Sequence, residues 1–232
     1  MAKPSLADVR EAPIYTAAEA AQYLRLPAST VRAWAFGQSY RWKGESRWFR
    51  SVIGVADRKS RRLSFINLVE LFVLAAITRA HSVRLQQVRK AVGFLKRHFP
   101  TAHPLADHQF QTNGVDLFVE KFGEILNISR AGQIEMKELI RAHLRCVERD
   151  AKGVPMKLYL LPRKLTSATR GAVVIDPRLG FGRPVLDGTG IRTEVLIERF
   201  SAGERIEALA TDYGRSPAEI EDVVRCELPL AA

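Results

Sequence analysis

The sequence predicts a mainly α protein with small β elements: a winged helix-turn-helix, an α+β middle, and a C-terminal helical, helix-turn-helix-like module. Three observations lead there. Residues 15–34 place two short helices across a tight turn, the next segment interleaves aromatics with cations, and from Val173 closely spaced Gly and Pro precede short helices. Charge is unevenly spread. Residues 1–100 hold eighteen Lys and Arg against six Asp and Glu, a balance of +12, while the whole 232-residue chain carries +11. A concentrated cationic surface beside such a motif points to a polyanion, duplex DNA above all.

Thr16 and Glu19 have capping-box spacing, so the first helix starts at Ala17, and Ala17, Ala20, Ala21 and Leu24 form one apolar face. Arg25-Leu26-Pro27 breaks it. Ser29 is the expected N-cap of the second helix, with Val31 and Trp34 inward and Thr30, Arg32 and Ala33 outward. An ordinary core hairpin would share this pattern, and the cations that follow favour the DNA-binding form. Ser29, Thr30 and Arg32 are the candidate recognition residues. Residues 40–62 carry eight basic and two acidic residues among aromatics, and Lys43-Gly44-Glu45-Ser46 supplies turn chemistry, which predicts a β-hairpin wing. Arg41, Lys43, Arg47 and Arg50 are its candidate phosphate contacts.

Ser64 is expected to cap a helix over Phe65–Ala80 with Leu68, Leu71, Phe72, Ala75 and Ala76 buried. His81-Ser82 then punctuates. A second helix, Val83–Phe99, points Leu85, Val88, Val92 and Leu95 inward and Arg84, Arg89, Lys90, Lys96 and Arg97 outward, closing a first domain at residue 100. Residues 101–162 read as a small α+β element. In it Asn113-Gly114 joins strands His108–Thr112 and Val115–Glu120, and Glu124–Ser129 is a third strand. A helix over Gln133–Arg149 runs through Ile134, Leu139, Leu144 and Val147, and Lys157–Leu161 is a last strand. Residues 163–172 are small and polar, a linker. The module 173–232 opens with a Gly/Pro loop. Helices Glu194–Phe200 and Arg205–Tyr213 follow, then a last helix capped by Ser216 with Pro217 first. Ten basic against eleven acidic residues from Arg163 onward leave this half without a cationic face.

Other classes are disfavoured. The apolar stretch 68–77 is short and interrupted by Glu70, so no membrane span is expected, and Met1-Ala2-Lys3-Pro4-Ser5 lacks a secretion-signal core, which predicts a cytoplasmic protein. Cys146 and Cys226 have no partner at metal-ligand spacing and read as small helix residues. His81, His98, His103, His108 and His143 are scattered. Only His103 and His108, with Asp107 between, approach ligand spacing, and a third zinc ligand is lacking. No Gly-x-Ser-x-Gly elbow occurs, and Glu219, Glu221 and Asp222 read as a solvated helix face. The Gly-rich loop has neither a Gly-Lys-Ser/Thr ending nor a preceding buried strand of a nucleotide fold. Neither an enzyme, a metal nor a cofactor is expected. Helix-turn-helix modules commonly read palindromes as dimers, so a homodimer is expected.

The run Asp176-Pro177, Gly182-Arg183-Pro184-Val185, Gly188-Thr189-Gly190-Ile191, Ala202-Gly203-Glu204, and Tyr213 ahead of Ser216-Pro217-Ala218-Glu219-Ile220 resembles the domain-of-unknown-function family 433. Members usually carry Gly-Thr-Arg-Ile, whereas Gly190 holds the Arg position here, so Arg183 or Arg192 would take over any contact of that arginine. Together with Tyr15–Trp34, the chain is similar to longer VapB-type antitoxins with an N-terminal MerR-like winged helix-turn-helix. The resemblance implies an antitoxin of a type II toxin–antitoxin system that neutralises a PIN-type ribonuclease toxin and represses its own operon by binding double-stranded DNA. Arg178, Arg183 and Arg192 are the candidate toxin contacts, because an arginine entering a carboxylate-rich metal site would displace the metal. A free-standing MerR-like regulator sensing a small ligand through residues 101–162, and an excisionase-type architectural factor, are the competing classes.

Overall fold

The computed structural model describes residues 6–79, 85–160 and 171–227, mainly helical with two small sheets. They form two compact units, one running to Arg145 and including Arg149–Pro155, the other Cys146–Glu148 with the described residues from Met156 onward. The first unit opens with α1 (Leu6–Glu11), α2 (Ala17–Leu24) and α3 (Ala28–Phe36), followed by the hairpin β1 (Gln38–Trp42) and β2 (Glu45–Phe49). Its remaining helices are α4 (Phe65–Arg79), α5 (Leu85–His98), α6 (Val115–Leu126) and α7 (Arg130–Leu144). Helix α4 is buried at every position from Phe65 to Ile77, beyond the one-sided face expected from sequence. A helix apolar all round belongs in the middle, and α1, α2, α5 and α7 pack on it.

Two clamps tie the helix-turn-helix and the chain returning from the hairpin to α4. Tyr15 and Leu63 exchange backbone hydrogen bonds of 2.9 and 2.8 Å. The buried Asn67 amide donates to the Gly54 carbonyl at 2.6 Å, and its Oδ1 accepts from Ala56 N–H at 3.0 Å and Ser64 N–H at 3.1 Å, while Ser64 Oγ accepts from Asn67 N–H. The helix cap and the anchoring of the chain returning from the wing are thus one network.

Sequence expectations fail most in residues 108–129, where the three strands are absent. Phe110–Gly114 is a π-helical turn leading straight into α6. Phe110, Val115, Phe118, Val119 and Phe122 are buried, a helical period that the two-residue hairpin signal masked. Gly114 has helical φ, and its missing Cβ admits the rings of Phe110 and Phe99. Ser129 Oγ accepts from Gly132 N–H to cap α7, which ends at Leu144 rather than Arg149. Its buried residues are Met136, Ile140, His143 and Leu144. Ile134 is exposed and Leu139 half-buried, so the inward face is turned from the one expected. His81-Ser82, Val83 and Arg84 lie outside the described residues.

The second unit holds a sheet in the order β3 (Val147–Arg149), β4 (Pro155–Tyr159), β5 (Val173–Ile175), β6 (Pro184–Leu186), with β4–β5 and β5–β6 antiparallel. The buried strand β5 precedes the Gly-rich loop, but it pairs antiparallel on both sides, unlike a parallel nucleotide-binding sheet. Val147 belongs to β3, not to a helix, and β4 starts two residues before the expected Lys157. Leu161 and most of the expected linker, through Arg170, lie outside the described residues. Helices α8 (Thr193–Ser201), α9 (Ile206–Tyr213) and α10 (Pro217–Glu227) bury Leu196, Leu209, Ile220 and Val223. Ser216 Oγ accepts from Glu219 N–H to cap α10, with Pro217 first, as the sequence predicts, and Glu219, expected on a solvated face, accepts in return from Ser216 N–H.

Candidate nucleic-acid and partner interfaces

The capping box at Thr16 is present, with Thr16 N–H donating to Glu19 Oε2 at 2.8 Å and Glu19 N–H to Thr16 Oγ1 at 3.1 Å. Arg25 takes a left-handed φ of 51°, which lets the Leu26 N–H reach Ala21 O and turns the chain into α3. The cap of α3 is Pro27, not Ser29. Its fixed φ suits a helix entry and its missing N–H needs no partner, so the helix starts one residue before Ser29. Ser29 and Arg32 are exposed on α3 and Thr30 is half-buried. Ala33 is buried, against expectation, because the returning chain encloses the C-terminal part of α3, with Val52 N–H bonded to Trp34 O at 2.7 Å.

The wing is a two-residue hairpin. Trp42 pairs with Glu45, and Lys43 and Gly44 turn with φ of 50° and 85°, the geometry that matches strand twist. Glu45 and Ser46 thus belong to β2. The pairing ends at Phe49, so residues 50–62 are not wing strand. There Asp57 Oδ1 accepts from the Lys59 and Ser60 N–H groups, its carboxyl held below the usual range by the Ser60 hydroxyl and these amides. Several cations of this stretch work inside the protein: Arg61 stacks on Phe36 at 4.9 Å, Arg62 donates to Ile14 O, and Arg58 to Ser51 Oγ.

Arg41, Lys43, Arg47 and Arg50 are all exposed. Arg47 faces Tyr40 across the ladder, whereas Arg41 faces Ser46, so the two arginines sit on opposite faces and Lys43 at the tip. A ribbon with cations on both faces suits a groove walled by two phosphate backbones better than a flat surface. Arg50 lies past the hairpin. Arg89 of α5 stacks on Phe49 at 4.8 Å and donates to Arg50 O, holding the wing's base. Sequence reasoning missed Trp48, which is 62% exposed on the same face as Arg41. A large apolar group left exposed in a basic ribbon was the available signal.

In the second unit the three candidate arginines are held in two ways. Arg178 is locked to the buried Asp176, its Nε donating to Oδ1 at 2.8 Å, and these bonds hold its pKa above the usual arginine value. Arg183 and Arg192 share one exposed carboxylate, Glu194, at 3.2 and 3.5 Å. Exposed pairs of this kind are worth about 0–1 kcal/mol, so Arg183 and Arg192 can be redeployed at little cost while Arg178 cannot.

Two segments of this geometry have known counterparts. Residues 13–92 match the family described as "Putative DNA-binding HTH domain". Residues 173–225 match the "Protein of unknown function (DUF433)" family. Over 230 residues the chain is 29% identical to "Putative antitoxin VapB45" of Mycobacterium tuberculosis, covering 92% of this chain and 93% of that protein. It is 24% identical over 229 residues to "Uncharacterized protein Rv2308" of the same organism, covering 95% of this chain and 92% of that protein. The crystal structure of Rv2018 from Mycobacterium tuberculosis superposes with a TM-score of 0.65 at 25% identity, covering 92% of this chain and 97% of that one. The likeness therefore spans both units. No helix among the described residues is long and apolar enough to cross a membrane, and no cluster of three or more His, Cys, Asp or Glu among them could hold a metal ion.

Proposed function

We propose that the protein is the antitoxin of a type II toxin–antitoxin system, acting as a homodimer that binds its own operator through the first unit and a PIN-type ribonuclease toxin through the second. One observation carries the reading: an exposed, two-faced cationic wing beside a helix-turn-helix shares a chain with the DUF433-like unit, and 92% of the chain is similar to a protein described as "Putative antitoxin VapB45". Ser29, Thr30 and Arg32 read bases, and Arg41, Lys43, Arg47 and Arg50 neutralise phosphates. Arg183 and Arg192, released from Glu194, compete for the carboxylates of the nuclease.

The full chain is the reagent for testing this. A cut at residue 100 would strip α4 of α7, and one at residue 163 would remove β3 and β4 from the sheet. Co-expressed with the neighbouring gene's product, the chain should co-purify with it and suppress its ribonuclease activity. It should also shift duplex carrying the upstream region of its own operon, with affinity falling steeply as salt rises. Failure to bind the nuclease would reject the antitoxin reading, and salt-insensitive DNA binding would reject the electrostatic wing.

A second reading, a regulator sensing a small ligand, is favoured by one feature. A cavity of about 200 Å³ in the first unit is lined by Glu11, His103, Asp107, His108 and Lys152. His103 Nδ1 lies 2.8 Å from the buried Glu70 carboxylate, which ties this cavity to the central helix. Thermal-shift screening with small amino and carboxylate metabolites separates the two: stabilisation by a metabolite, with altered operator affinity, favours the sensor.

A further inference from the structure

The most exposed large apolar side chain described is Phe181, at 92%, in the turn Gly180–Gly182. Its backbone is left-handed at φ 57° and ψ 32°, between Gly180 at φ 54° and Gly182 at φ 76°. Glycine or asparagine would take this conformation more readily. Phenylalanine here pays twice, in backbone strain and in an apolar ring left in water, and gains no core packing in return.

The turn is also held firmly. Leu179 N–H bonds to Asp176 O at 2.9 Å, Gly182 N–H to Leu179 O at 2.8 Å, and Arg183 N–H to Gly180 O at 3.1 Å. A Cβ on Gly180 would come within 2.8 Å of Val185 Cγ1, so the turn sits directly on β6. Arg178 braces its base through Asp176. On a backbone held this way, a protruding aromatic has only its two side-chain torsions left to order on binding, which suits an interface anchor. Leu179, 38% exposed, widens the apolar tip.

The charges around it define the partner. Arg178 is paired with the buried Asp176 and also feels Glu148, whereas Arg183 and Arg192, both partly exposed, have the one exposed carboxylate of Glu194 between them. That pair of guanidiniums outnumbers its carboxylate and leaves a local cationic excess at the rim. We infer that Phe181 is the anchor by which the second unit docks on its protein partner, entering an apolar pocket rimmed by carboxylates, and that this partner is the nuclease toxin. The inference rests on the antitoxin reading and adds to it the residue that holds the arginines in register.

Phe181→Asn in the full chain is the decisive variant, because asparagine tolerates the left-handed backbone and the ring supports nothing inside the fold. Its melting temperature should equal or exceed that of the natural chain. Its affinity for the neighbouring gene's nuclease, measured by titration calorimetry, should fall at least tenfold, and Phe181→Leu should recover part of the loss. If the natural chain binds the nuclease and Phe181→Asn binds equally well, the anchor assignment is overturned while the antitoxin reading stands. If the natural chain does not bind the nuclease, both fall. A change in self-association on sedimentation would overturn the proposal in favour of a second copy of this chain as the occupant, and a selective loss of DNA affinity would overturn it in favour of nucleic acid.

Discussion

Gly37 joins α3 to the hairpin β1–β2, and Gly37→Ala tests whether that junction sets DNA affinity. The residue has φ 80° and ψ 175°, a region open essentially to glycine alone. Placing alanine there costs on the order of 1–3 kcal/mol from the backbone alone. Its Cβ would also press on the Phe49 carbonyl oxygen and stand 3.0 Å from Trp48 Cζ2. Backbone oxygen cannot step aside, so the end of β2 must move away from α3. Gly44→Ala is the control: it too has positive φ, at 85°, but nothing lies within 4 Å of the added Cβ. Taking ~2 kcal/mol for Gly37→Ala, the first unit's thermal transition should drop by about 4–8 °C. Binding to duplex DNA should weaken and its salt slope should flatten as the displaced wing loses phosphate contacts. Scanning calorimetry and fluorescence-anisotropy titrations at several salt concentrations measure both. If Gly37→Ala is no worse than Gly44→Ala in either measurement, the close packing of the hairpin against the end of α3 does not matter.

Arg47→Ala should weaken binding to all duplexes alike and reduce the salt slope by about one, whereas Arg32→Ala should relax preference at one or two base positions by ~1–3 kcal/mol; identical behaviour across a site library would refute the division of roles. Trp48→Ala should lower affinity with an unchanged salt slope, because an apolar contact releases no counterion. The Glu70–His103 pair predicts a pH dependence of stability. Burial pushes the Glu70 carboxyl up. Burial also pulls His103 down, but its hydrogen bond to Glu70 and the charges of Glu70 and Glu11 outweigh this and leave it raised, with Lys96 opposing. The raised His103 contributes stability that is whole below its unfolded pKa of about 6.5 and is lost as pH rises through its folded value. The raised Glu70 adds a cost that is absent below about pH 4.3 and grows above it. Urea midpoints should therefore fall from pH 5.5 to pH 8.5, and Glu70→Gln should flatten that fall; an unchanged slope in the variant would show that the pair does not couple to folding.

The elements legible in the sequence were those specified within a few residues. Thr16 with Glu19, the Ser216 cap ahead of Pro217 and a turn beginning at Lys43 each fix their own geometry locally, and each formed where expected. Residues 108–129 failed because two local signals conflicted. Asn113-Gly114 favours a hairpin, while Phe110, Phe118 and Phe122 recur at a helical period that only packing among buried aromatics rewards; Phe118 and Phe122 stack at 5.2 Å and Phe110 meets Phe118 edge-on. Tertiary burial decided it. The face of α7 was misjudged for the same reason, since which of Ile134 and Met136 turns inward depends on where α4 and α6 lie.

The candidate sites were legible as composition but not as geometry. Charge counting located the cationic half of the chain, yet could not separate Arg41 and Arg47, on opposite faces of the ribbon, from Arg61 and Arg62, which are spent on Phe36 and the Ile14 carbonyl. Nor could it tell that Arg178 is committed to a buried carboxylate while Arg183 and Arg192 share an exposed one. An arginine's availability depends on the carboxylates within reach, and these are set by turns and strand pairings that bring together residues up to two or three elements apart. Phe181 shows the converse. Gly180 and Gly182 are readable as a turn, but a phenylalanine between two glycines gives no hint of whether it closes a core or stands in water. Three consecutive residues of positive φ, Gly180, Phe181 and Gly182, make the turn in which the ring ends up 92% exposed.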